Sequence, residues 1–396
     1  MTEVVIAGIG QTEVGEHWDI GLRELAFAAI QDAVKDSGGL KPQSLFVGNM
    51  LAPNLSNQAH LGVLLADYAG LLGIEAAGAS GGAALRQGYL AVASGMVDVA
   101  LVVGVEKFTD KVGAGVETAL STASDSDFEA IQGMTPTAQA ALLMKRYMHE
   151  NDVPVNGFAG FALTAHVNGV ANKNAMFRKA IKPETYAKAE MVSDPINMFD
   201  MAPNADGAAA VVLTRRDLLP DNFSHPLVKI AGSASASDTL ALHDRKDMLY
   251  FDTAQISAGK TMKQVGLTLN DIDMFEYHDT FSIYAALQLE AVGFAIKGKG
   301  WRFAEDGLIS LRMGSGPTGV LREDPSRARH IPCATMGGMK ARGFAGGASG
   351  VYQAVDAVTQ LRGRAEANQI LNVKTALIQS LGGPASTAVS HILQSL

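Results

Sequence analysis

Short apolar runs alternate with helically spaced apolar residues along the first part of the chain. Val4–Ile9, Ser44–Val47 and Val97–Val103 are apolar almost throughout, the pattern of strands that are buried on both faces. Between them, Leu22–Val34 has helical spacing and Ser80–Ala93 is an alanine-rich helical stretch. Strands that alternate with helices in this way predict an α/β fold with a mostly parallel sheet that is covered on both sides.

The same order of elements returns in the second half of the chain. Its predicted strands and helices are Leu227–Ile230, Thr253–Val265, Ile272–Phe275, Thr280–Val292, Gly347–Leu361, Thr375–Gln379 and Ala385–Leu393. We therefore predict a duplicated α/β unit, with its halves at residues 1–215 and 216–396. Residues from 106 to about 200 break the rhythm with more polar sequence and are predicted to form an inserted loop domain. Residues 310–331 carry clustered charges and are predicted to be a solvated loop.

Composition and charge exclude several classes of protein. The chain has 396 residues, 47% of them hydrophobic and 18% charged, which is enough apolar material for more than one core. A net charge of −8 argues against a nucleic-acid-binding surface, and no apolar run is long enough to span a membrane. Residues 1–20 lack the pattern of a secretory signal, so we expect a cytoplasmic protein. The single cysteine, Cys333, excludes an internal disulfide and a multi-cysteine metal site, and no metal is expected.

Each half carries a glycine-rich turn that leads into an alanine-rich helix. These turns are Gly78–Gly82 in the first half and Gly343–Gly350 in the second. Free backbone N–H groups at such a helix start can bind a phosphate or stabilise an oxyanion. Tight packing of a strand against a helix also needs glycine, and for either turn taken alone this structural interpretation is the better one.

Ordered motifs along nearly the whole chain resemble those of one enzyme family. They are Ile6–Thr12, Gly48–Met50, Val92–Gly95, Gly104–Asp110, Arg146–Glu150, Asp194–Ile196, Asp206–Ala210, Ser237–Asp247, His278–Asp279 and Gly337–Gly343. The family is that of the thiolases of the archaeal acetyl-CoA acetyltransferase and sterol-carrier-protein-x type. The resemblance implies a duplicated thiolase fold, in which two mixed sheets sandwich the central helices and a loop domain is inserted. It also implies a CoA thioester as substrate or ligand, no permanently bound cofactor, and a role in lipid metabolism.

The resemblance locates four catalytic stations, and three of them depart from the family's pattern. The nucleophilic cysteine of the family falls on Gly78 here. The histidine of a G-H-P turn, which activates that cysteine, is replaced by Phe344. The last station, on the turn before the final strand, reads Gln379-Ser380-Leu381-Gly382-Gly383. We therefore assign Gly78, Phe344 and Ser380 to a substrate pocket at the former stations, with Gly382 and Gly383 as backbone or oxyanion contacts.

His278 is the one station kept in its usual form, in the H-D-x-F sequence His278-Asp279-Thr280-Phe281. The family places this histidine against the thioester carbonyl, so His278 is the predicted catalytic residue. Asp279 is predicted to cap the helix that begins near Thr280. Cys333 is predicted to be a buried, inert thiol. Tyr277, Tyr284 and Tyr352 lie near the stations along the chain, and core packing is the expected role of each.

These departures leave three interpretations of the chain. The first is an enzyme that makes or breaks a C–C bond in an acyl-CoA by retro-aldol-like chemistry on a β-hydroxyacyl-CoA, which needs no nucleophile. Relatives of this kind work beside a small zinc-ribbon/OB-fold partner. The second is a non-catalytic thiolase-like subunit that binds acyl-CoA or supports an active partner. The third is that Gly78 is an engineered substitution. This is disfavoured because the turn that carries the activating histidine in the family is also changed here, with Phe344 in its place. Under each interpretation the resemblance implies a homodimer or a tetramer, and ordinary thiolase activity is predicted to be absent.

Overall fold

The computed structural model of the chain describes residues 3–59, 61–65, 70–221, 223–312 and 330–396. Most of the charged cluster predicted to form a solvated loop lies outside the described residues. The strands are β1 (Val4–Gln11), β2 (Ser44–Gly48), β3 (Gly70–Ile74), β4 (Val99–Glu106), β5 (Met191–Ser193), β6 (Ile196–Asn197), β7 (Gly207–Arg215), β8 (Val228–Ser237), β9 (Met274–Glu276), β10 (Thr375–Gly382) and β11 (Thr387–Ser395). The helices are α1 (Leu22–Asp36), α2 (Ala52–Leu55), α3 (Leu61–Leu64), α4 (Ser80–Ala93), α5 (Ala114–Ser121), α6 (Pro136–Asn151), α7 (Ala159–Gly169), α8 (Pro183–Ala187), α9 (Asp252–Val265), α10 (Ser282–Val292), α11 (Gly300–Glu305), α12 (Gly338–Arg342) and α13 (Ser349–Leu361).

Strand order confirms the duplication that the sequence predicts. Within the described residues, the first half is ordered β3-β2-β4-β7-β1 and the second half β9-β10-β11-β8. In the first half β1 pairs antiparallel with β7, and β7 with β4; in the second half β8 pairs antiparallel with β11, and β11 with β10. Cys333 forms a parallel bridge to Phe275 of β9, at the position that β3 holds beside β2. The two halves therefore repeat one topology.

The prediction of two separate sheets needs a correction. The described strands of both halves join into one nine-stranded mixed sheet, in which β1 and β8 meet through the pair Val5 and Lys229. Each half-sheet would otherwise end in a row of unpaired N–H and C=O groups at this edge. Pairing the two first strands satisfies part of that edge, and hydrophobic periodicity along the chain carries no information about it.

The central helices α4 and α13 cross where glycine allows their backbones to touch. A side-chain carbon added to Gly81 would lie 2.6 Å from the carbonyl oxygen of Gly347, much closer than a real carbon–oxygen contact. Nearly every side chain of α13 is buried, as expected of a helix enclosed on all sides. Each helix begins directly after a short 3₁₀ turn, Ala77–Ala79 before α4 and Gly346–Ala348 before α13. Gly78 and Gly347 thus occupy equivalent places in the two halves.

The loop domain lies between β4 and β7 and contributes α5, α6, α7 and α8 together with the small β5–β6 pair. Helix α6 starts at Pro136, in a position where the missing N–H of proline is no loss, and the side chain of Thr135 caps it by accepting from the N–H of Ala138. Among the described residues, no helix is long and apolar enough to cross a membrane.

Candidate functional site

A pocket opens where the two halves and the loop domain meet. The central turn contributes Gly78, the second half His278 and Phe344, and the loop domain Glu117 and Gln139. The other lining residues are Met50, Leu120, Ala123, Ser124, Pro136, Thr137, Met201, Ala202, Asn204, Thr280, Phe281, Tyr284, Leu381, Gly383 and Pro384. Most of the lining is apolar, so only a few polar groups are available to form hydrogen bonds with a ligand.

Gly78 is enclosed too tightly for a side chain. A Cβ atom at this position would lie 2.7 Å from the carbonyl oxygen of Leu381 and 3.1 Å from Cε1 of His278. The nearest obstacle is backbone, so it cannot move aside as the end of a flexible side chain could. The end of β10 and the histidine ring have closed around the glycine.

His278 is fixed through its main chain, and its imidazole edge faces Gly78. The side chain of Gln288 on α10 accepts from the N–H of His278 at 3.0 Å and donates to its carbonyl oxygen at 2.7 Å. The ring is 3% exposed, and Nδ1 has no hydrogen-bond partner among the described residues. Burial lowers the pKa of His278 to about 3, so the ring is neutral at physiological pH and carries a single N–H.

Phe344 fills the third station with a ring that cannot accept a proton. It packs edge-on against His278, with ring centroids 5.9 Å apart, and also contacts Phe108 at 6.2 Å. Its N–H donates to the carbonyl of Pro203, and its carbonyl accepts from the N–H of Ala205. Phe344 is therefore held rigidly and shapes the pocket next to the imidazole.

The three residues predicted for the fourth station do not all lie in the pocket. Gly383 lines the pocket, whereas Ser380 and Gly382 are not among its lining residues. The Ser380 hydroxyl donates to Oε1 of Gln353 on α13 at 2.7 Å, so it points between the central helix and the sheet. A Cβ at Gly382 would lie 2.6 Å from the carbonyl oxygen of Ala76, which shows how closely β10 approaches the turn that carries Gly78. These positions support packing roles for Ser380 and Gly382.

Asp279 does not cap α10, contrary to the prediction from sequence. Helix α10 has Phe281 at its N-cap position and no side-chain cap. Instead, Oδ1 of Asp279 accepts from the N–H of Met339 at 2.7 Å. Met339 lies in α12, directly before the turn with Phe344. This hydrogen bond therefore connects the segment that carries His278 to the segment that carries Phe344.

Cys333 lies away from the pocket lining and is fully buried, as predicted. Burial raises the pKa of its thiol well above the usual value, and the thiol is within hydrogen-bonding distance of the carbonyl of Ile331. A buried thiol with a raised pKa is unreactive.

The three tyrosines near the stations have different surroundings. Tyr284 lines the pocket, and burial raises the pKa of its phenol, so it stays protonated. Tyr277 packs against Phe161 and Phe275, and Tyr352 meets the hydroxyl of Thr12 at 3.1 Å. Of the three, only Tyr284 can therefore meet a ligand in the pocket.

Among the polar residues of the pocket that sequence reasoning missed are Glu117 on α5, Gln139 on α6 and Asn204 before β7. All three lie on or beside the loop domain, where no motif marked them. The side-chain nitrogen of Gln139 is buried without a hydrogen-bond partner among the described residues. A single glutamine in an amphipathic helix gives no signal in the sequence. What distinguishes Gln139 is the missing hydrogen bond of its amide, and only the fold shows that.

A second cavity, of about 760 Å³, lies behind the segment that leads into β7. It shares Met201 with the first pocket and is lined by Lys179, Lys182 and Lys340 alongside Phe199 and other apolar groups. Its lining, as far as the structure describes it, includes no carboxylate. Lys340 is buried and donates to the carbonyl of Asp200, whereas Lys179 and Lys182 are exposed, so these two lysines favour an anionic group.

The arrangement presents neutral hydrogen-bond donors to any ligand in a largely apolar pocket. No thiol lines the described part of that pocket. The described residues also contain no group of three or more histidine, cysteine or acidic side chains that could hold a metal ion. The chemistry that this pocket supports is the polarisation of a carbonyl oxygen by neutral donors.

Comparisons with known proteins agree with the fold. A family model for the thiolase N-terminal domain matches residues 4–217, and one for a thiolase C-terminal domain-like region matches residues 234–395. The chain is similar to the acetyl-CoA acetyltransferase of Methanothermobacter thermautotrophicus, with 38% identity over 99% of both chains. It is also similar to the 17-hydroxy-3-oxo-4-pregnene-20-carboxyl-CoA lyase of Mycobacterium tuberculosis, with 26% identity over 95% of both. Among solved structures, the Ltp2-ChsH2(DUF35) aldolase shares the fold with a TM-score of 0.80 and 23% identity, over 99% of this chain and 98% of that one. From its two domain matches and its full-length relatives, we conclude that the chain belongs to the thiolase superfamily.

Proposed function

We propose that the chain cleaves or forms a C–C bond in an acyl-CoA thioester without a covalent acyl-cysteine intermediate, by a retro-aldol reaction on a β-hydroxyacyl-CoA. The observation that carries this proposal is the glycine at position 78, which faces His278 with no space for a side chain. A thiolase reaction needs a thiolate and a base that activates it. Gly78 and Phe344 supply neither, and no thiol lines the described part of the pocket.

The retro-aldol reaction can use the groups that remain. A base takes the proton of the β-hydroxyl, the bond between the α and β carbons breaks, and its electron pair moves into an enolate of the thioester. The β carbon leaves as an aldehyde or ketone, and the α carbon takes up a proton. Atoms and charge balance without another reactant, so 3-hydroxybutanoyl-CoA would give acetaldehyde and acetyl-CoA.

Each step has a candidate group in the pocket. His278 is neutral, and with its proton on Nε2, the ring nitrogen nearer Gly78, it is the proposed donor to the thioester oxygen, where the enolate charge develops. Tyr284 is a second donor, because its phenol stays protonated. Glu117 is the one carboxylate among the described lining residues and is the proposed base. Lys179 and Lys182, the two exposed lysines of the second cavity, are the proposed contacts for the phosphates of CoA.

Two of the similar proteins support this choice of reaction. The mycobacterial relative is called a lyase of an acyl-CoA, and the solved neighbour is called an aldolase in complex with a DUF35 protein. On this basis we also propose that the chain works with a small zinc-ribbon/OB-fold partner.

A turnover assay with matched variants tests the function. Purified protein, alone and with a co-expressed DUF35 partner, would be given 3-hydroxybutanoyl-CoA and a branched 3-hydroxyacyl-CoA. The release of aldehyde or ketone would be followed by trapping and mass spectrometry. We expect His278→Ala and Glu117→Gln each to lower the rate by on the order of a hundredfold. Wild-type protein that releases no carbonyl product under any of these conditions would overturn the proposal.

A non-catalytic subunit that binds acyl-CoA remains a second candidate. The observation in its favour is that Nδ1 of His278 has no partner among the described residues, so no carboxylate orients the ring. In this case acyl-CoA would bind without turnover, and His278→Ala would lower the melting temperature without changing the affinity for CoA. The close packing around Gly78 argues against an engineered glycine, because removing a cysteine side chain leaves a gap.

A further inference from the structure

Gln139 is a buried polar group that the folded chain leaves without a partner. It lies on α6 of the loop domain and lines the pocket, and its side chain is 3% exposed. Its Nε2 makes no hydrogen bond to any described residue. Its position in the first turns of α6 is fixed, since its own N–H donates to the carbonyl of Thr135.

A bound ligand would supply the hydrogen bond that this group lacks. A buried amide without a hydrogen bond destabilises a fold, whereas an apolar side chain of the same shape would be neutral or better. Leu120 and Phe281, which line the same pocket, cannot accept a hydrogen bond. The amide N–H groups of Gln139 therefore suit an oxygen atom of a bound molecule.

The charge of the pocket indicates which kind of ligand oxygen Gln139 would bind. Glu117 lines the same pocket, and its carboxylate would repel an anionic group. An amide carries no net charge and offers both donors and an acceptor, which matches a neutral hydroxyl or keto oxygen. His278 belongs to the second half and lies beside Gly78, whereas Gln139 belongs to the loop domain, so we assign Gln139 to a second oxygen further along the acyl chain.

We propose that the side chain of Gln139 forms the subsite for the oxygen on the β carbon of the acyl group, and so selects β-oxygenated acyl-CoA over saturated acyl-CoA. This inference rests on the proposed function, because it places the thioester oxygen at His278. Sites built to hydrogen-bond a substrate hydroxyl reject analogues that lack it, since the polar group is then left unpaired.

Calorimetric binding measurements test the subsite. The dissociation constants of 3-hydroxybutanoyl-CoA and butanoyl-CoA would be compared for wild type, Gln139→Met, and Gln132→Met as the matched control. Gln132 lies at the exposed end of the loop domain and outside the pocket lining. We expect wild type and the control to bind the hydroxylated ligand about tenfold more tightly, which corresponds to about 1.4 kcal/mol. Gln139→Met should bind the two ligands with affinities within about twofold of each other.

A second measurement guards against a misfolded variant. Gln139→Met should keep or raise the melting temperature, because it removes an unpaired amide from an apolar site. Discrimination that persists in a folded Gln139→Met, or wild type that binds both ligands equally, would overturn the assignment. Discrimination that depends on Gln139 in a protein that cleaves no substrate would overturn the proposed function and support the subsite.

Discussion

Adding one methyl group at Gly78 tests whether the site has closed around glycine. In Gly78→Ala the new Cβ would lie 2.7 Å from the carbonyl oxygen of Leu381 and 3.1 Å from Cε1 of His278. Ordinary contacts are several tenths of an ångström longer, so either β10 or the imidazole must shift. Overpacking of this kind typically costs about 1–3 kcal/mol.

Gly259 provides the matched control. It lies inside α9, and a Cβ built on it would have no neighbour within 4 Å. Gly259→Ala should therefore gain about 0.5–1 kcal/mol, because alanine loses less backbone entropy than glycine in a helix. The same change of residue is thus expected to have opposite signs at positions 78 and 259.

Urea unfolding followed by circular dichroism measures both differences in the free energy of unfolding. Activity measured on the folded variants should also fall for Gly78→Ala, because the imidazole of His278 is one of the two groups that the new methyl crowds. A Gly78→Ala protein as stable as Gly259→Ala would refute the reasoning. It would mean that space for a side chain persists at the former nucleophile position.

Three further predictions follow from the same geometry. Acetoacetyl-CoA and CoA should give no acetyl-CoA above background in a thiolysis assay. Gly78→Cys should remain inactive, because the carbonyl of Leu381 crowds the new side chain and Phe344 cannot act as its base; full activity in this variant would contradict the argument. Burial lowers the pKa of His278 to about 3, so the unfolded chain binds more protons there and stability falls as the pH drops from about 6.5 toward 3. Between pH 7 and pH 4, wild type and a control with exposed His149→Asn should therefore lose about 3 kcal/mol more unfolding free energy than His278→Asn, and equal losses would mean that the ring titrates freely. The family resemblance implies a dimer that pairs through the strand before α4, and β3 is that strand and lies at one end of the described sheet. We therefore predict a dimer through β3; light scattering that gives a 41.5 kDa monomer at micromolar concentration would disprove this.

The fold could be predicted from sequence largely because it is repeated. Alternation of apolar runs and helical spacing located most elements in both halves, and the strand order confirms the repeat. Strand β8 was predicted to end at Ile230 but continues to Ser237. Its second part alternates small residues such as Ala234 and Ser235, and small polar side chains hide a half-buried strand from a search for apolar runs. The pairing of β1 with β8 depends on how the halves meet, which local patterns do not record.

The site was predicted only where a motif marked it. The resemblance indicated that Gly78, His278 and Phe344 belong together, and the structure brings them to one pocket. The resemblance does not show in which direction a side chain points. Ser380 was therefore assigned to the pocket, although its hydroxyl points toward α13. Gln139 was missed because the residues that surround its side chain in the fold are distant from it in sequence. No local pattern shows that its amide has no hydrogen-bond partner.

The central claim is that C–C chemistry proceeds here without an acyl-enzyme. The most direct measurement is the intact mass of the protein during turnover of 3-hydroxybutanoyl-CoA, with the products quantified in the same samples. The account predicts equal amounts of acetaldehyde and acetyl-CoA, no requirement for free CoA, and a protein that stays at its unmodified mass throughout. A chain that gains the mass of an acyl group, with product release that depends on added CoA, would contradict it.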